Sequence, residues 1–174
     1  MRVIGGEFRS RRLKSLPGMN TRPTPDRLRE TLFDVLATQI RESVFIDAYA
    51  GTGALGIEAL SRGARRVVFV EKSRGAIEVI RENLAALKLE SRAEVFTSKA
   101  ATVLERVRAD IAFLDPPYEL ESEYENAMAA LDRAGTPLAI LQHSSRFTPE
   151  EHYGELRRYR VIKQGDNSLS FYAR

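Results

Sequence analysis

Two short stretches of the sequence carry residues whose types and spacing could do chemistry. The first covers residues 47–56, where three glycines follow an apolar segment and precede one with helical spacing. Glycines keep a strand-to-helix turn tight and let the backbone approach a ligand, while the first N–H groups of the helix stay free to bind it. This pattern predicts a nucleotide-like cofactor, and we expect it to contact Asp47, Ala50, Gly51, Thr52 and Gly53.

A carboxylate follows the glycines at the end of the next apolar segment. Glu71 lies twenty residues after Gly51, a spacing at which an acidic side chain can accept hydrogen bonds from both hydroxyls of a ribose. We expect the neighbouring Lys72 to take part in the same contact. Both NAD and S-adenosylmethionine contain this ribose, so the two features indicate a nucleoside cofactor and leave an NAD-dependent dehydrogenase open.

The second stretch is Asp115-Pro116-Pro117-Tyr118, directly after apolar residues 111–114. In a parallel sheet the carboxyl ends of the strands share one edge, so Asp115 should face the glycine loop across a crevice. The Asp115 carboxylate and the Pro116 carbonyl can accept the two N–H bonds of an exocyclic amine on a base. Tyr118 offers a face on which an extruded base can stack. We expect all four residues to form a catalytic loop, which favours methyl transfer from S-adenosylmethionine.

Alternating apolar and helical segments predict the scaffold that would position these residues. From residue 44 onward they are typical of a parallel sheet covered by helices on both faces. Strands are expected over residues 44–48, 67–70, 93–97, 111–114 and 138–141, and helices over 54–61, 75–87, 100–107 and 124–131. Residues 159–163 and 169–172 flank Gly165-Asp166-Asn167, which predicts an antiparallel hairpin at the end of the chain.

The first 43 residues form a basic arm and a leading helix in this interpretation, with the α/β domain over residues 44–174. Residues 1–29 carry a net charge of +6, and the rest of the chain carries −3. Thr24 is expected to cap a helix that has Pro25 in its first turn. Such a concentration of cations is typical of phosphate binding. We expect RNA contacts from Arg9, Arg11, Arg12, Lys14, Arg22 and Arg27.

The composition excludes several classes of site. The sequence has no cysteine and only two histidines, which excludes disulfides, a thiolate nucleophile and cysteine-ligated zinc. We predict no metal site. No stretch approaches the roughly 20 apolar residues that a membrane span requires, so we expect a cytoplasmic protein without a membrane partner.

The sequence resembles the bacterial small-subunit ribosomal RNA guanine-N2 methyltransferase family, a branch of the class I S-adenosylmethionine-dependent methyltransferases. The resemblance implies a Rossmann-like sheet of seven mostly parallel strands with helices on both faces and an antiparallel C-terminal hairpin. It also implies S-adenosylmethionine as cofactor, and small-subunit ribosomal RNA in an assembling subunit as the partner of a monomer. The similarity is carried by residues 3–6, 22–24, 26–27, 29–33, 47–64 and 115–118.

The same resemblance implies further contacts and marks one departure. Thr24 and the backbone near Ala100 would lie against the cofactor. Lys99 stands where such enzymes often place Asp or Asn to read the adenine amine, and a lysine cannot accept that hydrogen bond. The open alternatives are a DNA adenine amino methyltransferase, the dehydrogenase and a non-catalytic RNA-binding module.

Overall fold

The computed structural model describes residues 1–18 and 24–174, which form five α-helices and eight β-strands. The helices are α1 Asp26–Val35, α2 Ala54–Ser61, α3 Arg74–Ala86, α4 Ala100–Leu104 and α5 Glu121–Ala134. The strands are β1 Val44–Ala48, β2 Arg66–Glu71, β3 Ala93–Thr97, β4 Ile111–Leu114, β5 Leu138–Ser144, β6 His152–Tyr153, β7 Leu156–Gln164 and β8 Asn167–Ala173.

All eight strands belong to one sheet in the order β3-β2-β1-β4-β5-β8-β7-β6. The first five in this order are parallel, and β8, β7 and β6 are antiparallel to their neighbours. This confirms the Rossmann-like fold class, with the two-residue β6 as an addition to the seven strands expected. The order reverses beside β1, so β1 and β4 lie side by side where a ligand crevice opens.

Two hydrophobic layers cover the sheet, as the apolar strands require. On β1, Phe45 packs into the layer that holds α1, α2 and α3, while Ile46 packs into the layer that holds α4 and α5. Both side chains are fully buried. Because successive strand residues point to opposite faces, a strand covered on both sides is largely apolar, and in β1 only Asp47, near its end, is polar. This requirement explains why β1 and β4 could be predicted to the residue.

The N-terminal arm is fastened to the second helix. Buried Glu58 accepts hydrogen bonds from the backbone N–H groups of Ile4 and Gly5 at 2.9 and 2.8 Å. Gly6 has φ +79°, and a Cβ there would lie 2.0 Å from the carbonyl oxygen of Ser61. The arm therefore packs against the core through backbone contacts that a larger residue at position 6 would prevent.

Two local expectations were wrong. Thr24 does not cap α1, because the N-cap is Pro25 and the helix begins at Asp26 without a side-chain cap. The Thr24 hydroxyl instead donates to the Oε1 atom of Gln142 at 3.1 Å. Helix α4 ends at Leu104 rather than 107, since the chain must reverse before Asp110, whose carboxylate accepts the N–H of Val44 at 2.7 Å.

No helix within residues 1–18 and 24–174 combines the length and apolar character needed to cross a membrane.

Candidate active site

The glycine loop after β1 leaves open space beside its backbone. Gly51 and Gly53 have φ values of +57° and +82°, a region that favours glycine. A Cβ on Gly51 would meet no atom within 4 Å, so the backbone here is accessible to a ligand. At Gly56 a Cβ would lie 2.3 Å from Phe69, which shows that this glycine allows α2 to pack closely on β2.

Asp47 lies at the base of this loop, near the end of β1. Its side chain is buried, and Oδ2 accepts the N–H of Gly56 at 2.9 Å. Burial raises the pKa of Asp47 to about 7, against the lowering effect of the Gly56 hydrogen bond. The negative charges of Asp115 and Glu71 raise this pKa further, so the three carboxylates interact electrostatically.

Glu71, the last residue of β2, connects the glycine loop to the start of α3. Its Oε2 atom accepts the N–H of Gly51 at 2.8 Å. Its Oε1 atom accepts the N–H groups of Lys72 and Ser73, both at 2.9 Å. These bonds fix the carboxylate beside the open backbone of Gly51, where it can receive hydroxyl groups from a ligand.

Asp115 follows β4, which lies between β1 and β5 in the sheet. Leu114 pairs with Ala48, so Asp115 and the glycine loop leave the sheet at the same edge. Asp115 is partly buried, and this burial raises the pKa of its carboxyl to about 7. Pro116 is buried and Pro117 is exposed. The group can therefore change its charge near neutral pH, which suits a role in handling the proton of an amine.

Tyr118 is held by two amide side chains that the sequence did not single out. Its hydroxyl donates to Oδ1 of Asn167 at 2.6 Å and accepts from Nε2 of Gln142 at 3.5 Å. Gln142 in turn accepts the Thr24 hydroxyl, so one polar network joins the arm, the catalytic loop and β8. The Tyr118 side chain is 37% exposed. The network positions the ring while leaving part of it accessible.

Residues 1–173 match the protein family described as conserved hypothetical protein 95. The chain belongs to this family. Among curated relatives, "Ribosomal RNA small subunit methyltransferase D" of Haemophilus influenzae is 43% identical over 91 residues, 52% of this chain and 47% of the relative. The protein of the same name from Escherichia coli strain K12 is 46% identical over 88 residues, 51% of this chain and 44% of the relative. The match thus spans about half the length of these relatives.

A solved structure extends the similarity to the full length of this chain. The Escherichia coli protein yhhF superposes with a TM-score of 0.88 at 33% identity, covering 100% of this chain and 97% of that one. The helices and strands described above therefore follow the arrangement of that protein along their full length.

In this member of the conserved hypothetical protein 95 family, the remaining expected cofactor residues line the sheet edge. Ala50 and Thr52 are half-buried in the glycine loop, and Lys72 is exposed. Ala100 is buried at the first position of α4, and Lys99 precedes it with an exposed side chain. Lys99 therefore stands where the sequence departs from the expected Asp or Asn, and its side chain is exposed to solvent.

Tyr49 adds a constraint that the sequence did not indicate. It is a non-glycine residue with φ +64°, and its hydroxyl donates to Oε2 of Glu123 at 2.8 Å. Burial, together with this carboxylate, raises the pKa of Tyr49. A non-glycine residue in the left-handed region is strained. The hydrogen bond to Glu123 in α5 helps to hold Tyr49, which precedes the glycine loop, in this conformation.

The expected RNA-binding cations have different surroundings. The side chains of Arg9, Arg11, Arg12 and Arg27 are exposed, and Lys14 forms an ion pair with Glu82 at 2.5 Å. Arg22 lies outside the described residues. The arm therefore presents several cations to solvent, with Lys14 already paired to α3.

His143 lies within β5 and does not border the crevice. Its ring is buried, with Nδ1 2.8 Å from the Ser144 carbonyl oxygen and Nε2 2.8 Å from the Ser170 hydroxyl. Burial lowers the pKa of His143. Its contacts indicate a structural role.

Within the described parts of the chain, no group of three or more histidine or acidic side chains is arranged to hold a metal ion.

Proposed function

We propose that this protein transfers a methyl group from S-adenosylmethionine to the exocyclic N2 amine of a guanine in small-subunit ribosomal RNA. The observation that carries this proposal is the convergence of Asp47, Glu71 and Asp115 at one sheet edge beside the open backbone of Gly51. The proposed partner is ribosomal RNA within an assembling small subunit. We propose that the protein acts as a cytoplasmic monomer.

The charge of this edge favours a cationic cofactor. Asp47 and Asp115 have pKa values raised to about 7 because burial opposes their ionisation, and at Asp47 the negative charges of Asp115 and Glu71 add to this effect. A positive charge among them would relieve that repulsion, whereas the pyrophosphate of NAD would add to it. S-adenosylmethionine would supply a methyl group on a positively charged sulfur. Glu71 would hold its ribose, and Gly51 to Gly53 would give the close backbone contact.

The residues after β4 fit an amine as the methyl acceptor. The Asp115 carboxylate and the Pro116 carbonyl would accept the two N–H bonds of the base, which fixes the direction of the nitrogen lone pair. Asp115 would then take the proton that the amine loses, since its pKa lies near neutrality. Tyr118, fixed by Asn167, would stack on the extruded base.

Two observations support ribosomal RNA rather than DNA or a small molecule. The matched relatives are named ribosomal RNA small subunit methyltransferase D. Residues 1–29 carry a net charge of +6, which suits the phosphates of a folded RNA. A non-catalytic RNA-binding module would use this charge, but it would give no role to the carboxylates around the crevice.

The deciding experiment measures transfer of labelled methyl from S-adenosylmethionine to unmodified small-subunit particles and to naked ribosomal RNA. We expect label in N2-methylguanosine, and a rate at least about 100-fold lower for Asp115→Ala. The exposed Asp166, in the turn between β7 and β8, provides a matched control, and Asp166→Ala should stay within about twofold of wild type.

Other outcomes would select the alternatives. Label on adenine of DNA would favour the DNA methyltransferase, and tight binding of NADH without binding of S-adenosylmethionine would favour the dehydrogenase. RNA binding that is unchanged in Asp115→Ala, with no transfer by wild type, would favour the binding module.

A further inference from the structure

The strand β7 has an outer edge that the proposed function does not use. It pairs with β8 along its length, whereas β6 pairs with it only at Leu156 and Arg157. The N–H of Arg158 donates to the Glu151 carbonyl at 2.8 Å. Beyond this point, residues 159–164 have no neighbouring strand on that side within the described parts of the chain.

This strand is strongly basic. Its nine residues include four cations and no acidic side chain. Arg157, Arg160 and Lys163 are exposed, and none of them forms a salt bridge with any residue that the structure describes. In contrast, Arg133 and Arg174 are paired with carboxylates elsewhere on the surface. The unpaired cations of β7 thus keep their charge available for a phosphate.

An aromatic ring lies among these cations. Tyr159 is 55% exposed, and the ring centroid lies 6.2 Å from that of Phe171 at an interplanar angle of 55°. The pairing with β8 is irregular between Arg158 and Arg160, which inserts Tyr159 as an extra residue in the strand. Phe171 supports one part of the ring, and the remainder is accessible to a base.

The strand leads away from the catalytic loop. Gln164, its last residue, pairs with Asn167, which holds the Tyr118 hydroxyl at 2.6 Å. A strand rises about 3.3 Å per residue, so the Cα atoms of Arg160 and Lys163 lie about 10 Å apart, roughly the length of three stacked nucleotides. The two side chains leave the strand on opposite faces of the sheet, on either side of the open edge. An RNA strand that follows this edge away from the catalytic loop would therefore have Arg160 on one side and Lys163 on the other.

We propose that the outer edge of β7, formed by Tyr159, Arg160 and Lys163, binds single-stranded RNA that flanks the target base. The two cations contact phosphates, and Tyr159 stacks on a base. The inference rests on the proposed function for its substrate. Cations can also protect a free strand edge against pairing with another protein strand. An exposed aromatic ring among unpaired cations favours RNA, because stacking and phosphate contacts use both features.

The test compares the double variant Arg160→Gln/Lys163→Gln with wild type in binding unmodified small-subunit particles and a fluorescent single-stranded RNA oligonucleotide. Each lost phosphate contact reduces the slope of log affinity against log salt by about 0.7. We therefore expect a slope lower by about 1.4, with unchanged affinity for S-adenosylmethionine. The control is Arg65→Gln/Arg108→Gln, which removes two exposed cations that precede β2 and β4 and form no salt bridge with any described residue.

A second pair of variants tests the ring. Tyr159→Leu should weaken RNA binding by about 5- to 100-fold through loss of stacking, whereas Tyr159→Phe should bind like wild type. The melting temperature of each variant, measured beside wild type, separates this effect from loss of folding.

The outcomes separate this inference from the proposed function. Wild-type methyl transfer together with unchanged RNA affinity and salt slope in the β7 variants overturns the β7 surface alone. Increased self-association of the double variant with unchanged RNA binding assigns the cations to edge protection and also overturns it. RNA binding that depends on β7 without any methyl transfer sinks the proposed function and leaves this surface standing. No RNA binding by wild type overturns both.

Discussion

At the scale of single residues, two carboxyl groups of the crevice have pKa values close to neutral pH. Asp47 and Asp115 both have pKa values raised to about 7, and in each the main cause is burial. Each also lies near the carboxyl end of its parallel strand, where the sheet exposes ligand-facing groups. Proton occupancy in this crevice is therefore sensitive to small changes near neutral pH.

We predict that methyl transfer rises with pH through about 7, because in the proposed reaction only the ionised Asp115 can take the proton that the amine loses. With this midpoint, the rate at pH 6 should be about a tenth of the plateau, and bound positive charge should move the midpoint to lower pH. Single-turnover rates between about pH 5.5 and 8.5 would measure it. A profile that is flat in wild type, or identical in Asp115→Asn, would contradict this role.

The same raised pKa values make the stability of the fold decrease as pH rises, whereas the rate of methyl transfer is expected to increase. The carboxyls of Asp47 and Asp115 have pKa values raised from 3.8 to about 7 on folding, so the folded state holds their protons more tightly than the unfolded state. Their contribution favours folding when both are protonated. It is lost progressively as pH rises from about 4 to about 7. The active, ionised crevice is thus the less stable one.

At the scale of secondary structure elements, Tyr118 shows how distant segments complete one loop. Asn167 is the first residue of β8 and Gln142 lies within β5, and both amides are buried. Each contacts the hydroxyl of Tyr118 in the loop after β4. The amide side chains of Asn167 and Gln142 do not ionise, so the support that they give the ring does not depend on their protonation.

We predict that Asn167→Ala lowers the rate of methyl transfer to RNA by about tenfold while leaving affinity for S-adenosylmethionine unchanged, because the Tyr118 ring loses its main support. Tyr118→Phe should have a similar effect, and the double variant should be no worse than either single one. Fully additive losses would mean that Asn167 acts elsewhere. Ser145→Ala is the control, since its hydroxyl contacts the same hairpin at the Gly165 carbonyl and the Ser168 hydroxyl.

The sequence predicted apolar strands better than polar ones. β1, β3 and β4 were predicted to the residue: β4 lies directly between Asp110 and Asp115, β3 follows Arg92, and β1 ends just before the glycine loop. β5 continues to Ser144 and β7 begins at Leu156, where alternating polar residues hide the strand pattern. Helix α5 covers Glu121–Ala134, beyond the apolar stripe that indicated residues 124–131.

The contacts to Tyr118 could not be predicted. Gln142 and Asn167 are 24 and 49 residues away from it in the chain, and amide side chains form no local motif. Only the pairing of β8 between β5 and β7 brings them together. Asp115 and Glu71, in contrast, follow apolar strands and could be placed at the sheet edge from the sequence alone.

At the scale of the whole molecule, hydrogen bonds hold the N-terminal residues against the α/β domain. Glu58 on α2 accepts from Ile4, Gly5 and the Arg62 guanidinium, and its side chain is fully buried. Thr31 lies on α1, and its hydroxyl accepts a hydrogen bond from Nε2 of Gln164 in β7 at 2.7 Å. These contacts connect the N-terminal segment to α2, which packs on β1 and β2, and to β7.

We predict that Glu58→Ala lowers the free energy of unfolding by about 2–4 kcal/mol, because it leaves two backbone N–H groups and one guanidinium without their acceptor. Urea denaturation followed by circular dichroism would measure the loss. The control Glu78→Ala, on the exposed face of α3, should change the free energy by less than about 0.5 kcal/mol. Equal effects of the two variants would show that the arm contributes little to global stability.

The position of β8 between β5 and β7 has a consequence for the newly synthesised chain. Asp115 and Tyr118 leave the ribosome before the end of the hairpin, and the hydroxyl of Tyr118 finds its acceptor only when residue 167 has been added. β8 must then enter between two strands that precede it in the chain, a pairing of long sequence separation that forms slowly. A nascent chain can hold its glycine loop and carboxylates in place and still lack the fixed aromatic ring. Competence for the proposed reaction would therefore arrive only as the hairpin closes.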